Sequence, residues 1–234
     1  QLALILNTGP NTTGLIYQAQ TELYTVANEL LLNLKSNEIP IVQFAVICGS
    51  GHSARIVSRF SVNYDAIVSS LDKTSKGVSH HIQGDRALSL AINGLQWSPY
   101  PEDLKYIVMA GSGRLSLSRH ALTTTCDQAV GKGIQVHTLY TSAYAMGIQH
   151  GWAQIAVHSG GCYSTISTTG RLELEPTEFN PELQSLTKEL LDTYRLRADG
   201  HRSLWAHQER LHKIVKRLSQ ESAIQRIITK AIKG

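Results

Sequence analysis

The sequence predicts an α/β fold: a doubly wound, mostly parallel central sheet with helices on both faces, followed by a C-terminal helical extension. Three observations carry this. Short, continuously apolar runs recur through the first two-thirds of the chain, and amphipathic helical patterns separate them. Such runs are what strands buried on both faces require, so the sheet must be parallel and covered twice. After Thr168 the strand signals stop and only helical patterning continues.

The elements follow in order. Leu2–Leu6 is an apolar run ending at Asn7-Thr8-Gly9-Pro10, a strand leading into a loop. Residues 13–36 carry Leu15, Ala19, Leu23, Val26, Ala27, Leu30, Leu31 and Leu34 at helical spacing. Ile41–Cys48 is the next strand, with Gly49–Gly51 turning it back into Arg55–Phe60. Asn63–Leu71 reads as a helix capped by Asn63, and Asp85–Leu95 as another. Tyr106–Met109 is a central strand followed by Gly111-Ser112-Gly113. Leu117–Val130 is a helix closed by Gly131 and Gly133. Ile134–Tyr140, His150–His158 and Cys162–Ile166 then give strand, helix and strand.

This division places an α/β domain over residues 1–170. Residues 171–234 form a linker, with Pro176 and Pro181, and a basic helical extension over 181–197 and 203–232. The charge is split along the same line. Residues 195–234 hold ten Lys/Arg against three Asp/Glu, a net +7, so residues 1–194 carry −3 of the total +4. No apolar run reaches the roughly 18 residues that a membrane-spanning helix needs. Because Gln1 stands where an initiator Met would, upstream residues such as a signal peptide or lipid anchor are expected. Three cysteines, Cys48, Cys126 and Cys162, without CxxC spacing exclude a disulfide framework and a zinc knuckle. Free buried thiols are the expectation, with one disulfide as the alternative.

In open parallel sheets ligands sit beyond the carboxyl ends of the strands, where strand order reverses. That singles out three loops: Asn7–Thr13, Val78–Asp85 and Ala110–Leu117. Leu6-Asn7-Thr8-Gly9-Pro10-Asn11 follows the first strand. Gln83-Gly84-Asp85 opens a helix that ends Leu95-Gln96-Trp97. Tyr106-Ile107-Val108-Met109-Ala110-Gly111 closes a strand. Val136–Tyr140, Gly147-Ile148, Gly151–Ala156 and Ser159-Gly160-Gly161-Cys162-Tyr163 complete the order, and Pro176–Asn180, Leu183 and Leu191–Tyr194 follow in the extension. Over about residues 2–200 this series resembles the Rossmann-like von Willebrand factor A (VWA) fold, in particular a group of bacterial proteins that carry it.

The resemblance implies a metal-ion-dependent adhesion site, in which a loop Asp, two hydroxyls and a further Asp hold Mg²⁺ and a partner's carboxylate completes the shell. Mg²⁺ binds hard oxygen ligands and needs anionic ones to offset its dehydration. At the matching positions this chain has Asn7 for the loop Asp, Gly9 and Asn11 for the hydroxyl residues, Asp85 on the second loop and Ala110 for the last Asp. Thr8, Thr12 and Ser112 are nearby oxygens out of register. The site is therefore expected to be degenerate and free of metal or other cofactor. Any residual Mg²⁺ binding would rest on Asp85 with Asn7 and Asn11.

Other motifs read as structure. Gly9–Gly14 lacks the Gly-Lys-Ser/Thr ending of a phosphate loop. His80-His81, beside Asp85, form an adjacent pair that points in different directions. His207 and His212 are five apart, off the spacing that shares one helical face. The serines of Gly49–Ser53 and Gly111–Gly113 fit no nucleophile elbow and read as tight turns. Trp97 and Trp152 are expected to cover the sheet, and Trp205 to serve an interface.

The expectation is a non-enzymatic protein-interaction or adhesion module whose upper loops, with Asn7, Gly9, Asn11, Asp85, Ala110 and Ser112, meet another protein in a secreted, periplasmic or surface assembly. The alternative is an intracellular module. Its tail residues Arg210, Lys213, Lys216 and Arg217, with Arg202, Arg226, Lys230 and Lys233, would contact nucleic acid, an acidic partner or a membrane surface. No recognised nucleic-acid module surrounds them, and a solvated basic face is the simpler reading.

Overall fold

A computed structural model describes residues 1–7, 13–33, 41–50, 53–74, 84–115 and 119–165, together with Ser185, Gln225, Arg226 and Thr229 of the extension. The chain runs β1 (Leu2–Asn7), α1 (Thr13–Asn33), β2 (Phe44–Ser50), β3 (Ser53–Ser61), α2 (Tyr64–Thr74), α3 (Gly84–Gly94), β4 (Lys105–Gly111), α4 (Arg119–Gly131), β5 (Ile134–Tyr140), α5 (Tyr144–Gln149), α6 (Trp152–His158) and β6 (Tyr163–Thr165).

The six strands form one sheet in the order β3-β2-β1-β4-β5-β6. All neighbours are parallel except the edge strand β3, which runs antiparallel to β2. The order reverses at β1, with β2 on one side and β4 on the other, so the crevice above β1 and β4 is where a ligand is expected.

Alternate residues of each strand feed two cores. On one face Ala3, Ile5, Ile107, Met109 and Val136 pack with α3, α4 and α6 through Leu88, Ile92, Cys126, Trp152 and Ile155. On the other, Leu6, Phe44, Val46, Cys48 and Ala110 pack with α1 and α2 through Leu23, Tyr24, Ile67 and Leu71. Period-two strands buried on both sides account for the continuous apolar runs.

Local signals set several boundaries. Asn63 caps α2, its side-chain oxygen accepting from the Ala66 amide at 3.2 Å. Gly133, with φ +68°, ends the α4 turn, its amide donating to Val130 O at 2.9 Å. Three expectations need correction. The second strand starts at Phe44, not Ile41: Phe44 is paired with Leu2, the first residue of β1, and with Ser61, the last of β3, so the ladder on both sides begins there, and Ile41 is exposed. A helix absent from the sequence reading, α5, precedes α6. Finally, Cys162 is exposed; Cys48 and Cys126 are the buried thiols, and all three are free.

Candidate functional site

The upper edge of the sheet is built from the ends of β1, β4 and β5. Asn7 closes β1 with its Cα opposite Gly49, and Leu6 lies opposite Ala110 of β4. Ser98 donates its amide to Gln1 Oε1 at 2.7 Å, which brings the chain just beyond α3 to the start of β1. The first turn of α3, with Gly84 and Asp85, therefore faces the opposite end, where Asn7 and Ala110 stand. The topology thus brings Asn7, Asp85, Ala110 and Ser112 to one end of the sheet. Gly9 and Asn11 lie outside the described residues, as do His80, His81, Trp205, His207, His212, Arg210, Lys213, Lys216 and Arg217.

Ala110 decides what this edge can do. It is 3% exposed and belongs to the apolar cluster with Leu6 and Cys48. A methyl group offers no ligand oxygen, so the resemblance's last carboxylate position is filled by core packing. With Asn7 also neutral, Asp85 is the one carboxylate among the six positions. Mg²⁺ bound by the protein needs one or two anionic oxygens with well-placed neutral ones. Of the positions the resemblance assigns, Asp85 alone could supply an anionic oxygen, and Ala110 supplies none. Among the described residues no three His, Cys, Asp or Glu side chains gather in a way that could hold a metal.

The loop after β4 is held firmly. Thr141 N donates to Gly111 O at 2.8 Å, and Leu115 N donates to His150 O at 3.2 Å. The Trp152 indole, fully buried, donates to Gly113 O at 2.8 Å. Gly113 has φ +90°, a conformation that side-chain-bearing residues rarely adopt. Tyr140 Oη pairs with His150 Nδ1 at 2.8 Å, and Thr138 Oγ1 donates to Trp152 O at 3.0 Å. Ser112, within this turn, is half-buried. Trp97 covers the sheet from below α3, its ring edge-on to Phe60 at 4.7 Å and its indole donating to Ala91 O.

Sequence reasoning missed α5, which stands beyond the end of β5 on the same edge. Gly147 is its buried point: a Cβ there would run into the Tyr163 hydroxyl and the Tyr140 ring. Around the rest of this short helix Tyr144, Met146 and Ile148 are 57%, 43% and 45% exposed. Tyr163 fixes the helix by donating its hydroxyl to Tyr144 O at 2.7 Å.

Arg226, grouped by sequence with the basic residues of the tail, is instead buried. Its Nε and Nη2 donate to Asp65 Oδ1 and Oδ2 at 2.8 and 2.9 Å. Both side chains are 3% exposed or less. Leaving a charge uncompensated inside the protein is costly, so this guanidinium is committed to Asp65 and unavailable to phosphate. No pattern in the sequence announces a pair 161 residues apart.

No protein-family model and no curated protein matches the sequence. Solved structures do match. BatB from Bacteroides thetaiotaomicron, described as a conserved hypothetical protein, aligns with TM-score 0.53 and 14% identity over 71% of this chain and 89% of that one. The SpRpn10 VWA domain aligns with TM-score 0.51 and 11% identity over 73% and 89%. Proximal thread matrix protein 1 from the mussel byssus aligns with TM-score 0.53 and 10% identity over 72% and 43%. At these identities the likeness is one of fold: the architecture is a VWA-like, Rossmann-like α/β fold, as the sequence predicted.

Proposed function

We propose that this chain is a non-enzymatic VWA-type interaction module that docks another protein through the upper edge of its sheet without a bound metal. The observation that carries the reading is Ala110, an apolar core residue at the end of β4 where the resemblance calls for a ligand carboxylate. With Asn7 equally neutral, what this edge offers a partner is shape, hydrogen-bonding groups and the exposed apolar residues of α5. Non-obligate interfaces are built from such mixtures, with aromatic and Met side chains enriched at their centres. Two of the neighbours with this fold are named as a mussel thread matrix protein and an aerotolerance-related membrane protein. They support a surface or secreted assembly as the setting. The alternative of phosphate binding by the basic tail is weakened at Arg226, which is engaged with Asp65.

The test places a photo-crosslinking amino acid at Met146, on the upper edge, or at Leu104, exposed before β4 at the opposite end. In extracts of the source cells, with a chelator present, Met146 yields protein adducts and Leu104 does not. Adducts confined to Leu104, or Met146 adducts abolished by chelation, overturn the proposal.

A further inference from the structure

Carboxylates are nearly missing from one half of the sheet. Between Asp103 and Glu173 the sequence has five cationic side chains, Lys105, Arg114, Arg119, Lys132 and Arg171, and a single acidic one, Asp127. That stretch carries β4, β5 and β6 with α4, α5 and α6. Asp127 is already engaged, pairing with His158 Nε2 at 3.2 Å. Two of the cations are spent on helix ends. Lys105 Nζ donates to Lys132 O, just past α4, at 3.3 Å, and Lys132 Nζ donates to Ile92 O and Asn93 Oδ1 near the end of α3 at 2.8 and 2.9 Å. Carbonyls at a helix C-terminus are a favourable seat for an ammonium. Arg119 opens α4, and Arg171 lies outside the described residues.

Arg114 is placed differently. It is exposed on the loop after β4, and among the described residues its guanidinium has no carboxylate or carbonyl partner. Its backbone is clamped on both sides. Gly113 O accepts from the Trp152 indole, and Leu115 N donates to the carbonyl of His150, the residue that caps α5. Arg114 therefore stands beside the end of α5, the helix on which Tyr144, Met146 and Ile148 are exposed. A guanidinium presents a planar fork of donors that matches a carboxylate. Arg, Tyr and Met are also side chains that interfaces favour at their centres. A row of cations, which a nucleic-acid backbone requires, is not found among the described residues of this edge. Resting on the reading of this edge as a docking surface, we infer that it recognises an acidic segment of a partner protein, in which an Asp or Glu pairs with Arg114 and neighbouring apolar side chains lie on α5.

The experiment pans phage-displayed random peptides on the full chain and titrates the selected peptides, fluorescein-labelled, by anisotropy. They carry Asp or Glu, and exchanging that residue for Asn or Gln weakens binding about tenfold or more; Arg114→Glu in the protein does the same. Combining Arg114→Glu with Lys in place of the peptide's acid restores binding, which a misfolded variant could not do. A photo-crosslinking amino acid at Met146 captures the same peptides. Peptides that crosslink through Met146 but bind within about twofold after the Asn or Gln exchange overturn this inference and leave the docking reading standing. Peptides captured only through Leu104 overturn both. A panning that enriches no acidic peptide overturns the inference.

Discussion

The Trp152 indole donates to the carbonyl of Gly113 at 2.8 Å, 39 residues earlier in the chain, and so ties the loop after β4 to the helix that closes the sheet edge. Trp152→Phe keeps most of the bulk but leaves that carbonyl without its donor. A loss of about 0.5–1.5 kcal/mol is expected, the net worth of a hydrogen bond at a part-buried carbonyl. Denaturant unfolding measures it, and hydrogen exchange should quicken at Ser112–Leu115 while β1 and β4 stay protected.

Ala110→Asp tests the edge from the other side. A carboxylate among Leu6 and Cys48 is uncompensated, and a loss of at least about 3 kcal/mol follows. If the edge lacks the remaining ligands, Mg²⁺ leaves the melting temperature of this variant unchanged. Recovery of stability by millimolar Mg²⁺ would reveal a cation cradle still present.

These two positions show how far the sequence is legible. β1, β5 and the helix starts follow from apolar runs, Asn63 and glycine stops, because those signals act within a few residues. Asn7 and Ala110 are singled out only through the family resemblance, and the structure places them near the ends of β1 and β4, which are adjacent in the sheet. Helix α5 was not legible: six residues with an internal glycine, Tyr144–Gln149, give too short a period, and the helix exists because Gly147 lets it close against Tyr140 and Tyr163. Arg226 looked like one more basic residue of the tail, since nothing local marks Asp65 as its partner.

The thiols make a chemical prediction. Burial pushes Cys48 and Cys126 up to about 11, while Cys162 is exposed. At pH 8 an alkylating reagent should modify Cys162 in the folded protein, and the other two only after unfolding. Mass spectrometry of timed samples checks it.

The same shifts have a pH consequence. A thiol whose folded pKa is raised holds its proton better when folded, so its contribution is complete below about pH 9 and is lost as the pH rises towards 11. Stability should fall across that window by up to about 3 kcal/mol per buried thiol. Cys48→Ala should flatten the decline, and an unchanged slope would remove Cys48 as its source.

Gly147→Ala forces a methyl group against the Tyr163 hydroxyl and the Tyr140 ring. Overpacking of this kind costs about 1–3 kcal/mol. Thermal unfolding should show the loss, and crosslinking through Met146 should weaken with it, because both report on the seat of α5.

Calorimetric titration of the native chain with Mg²⁺, Mn²⁺ and Ca²⁺ puts the neutral-edge account to its most direct trial. The account predicts no saturable heat in the micromolar range for any of the three ions. Saturable heat that disappears in an Asp85→Ala variant would contradict it.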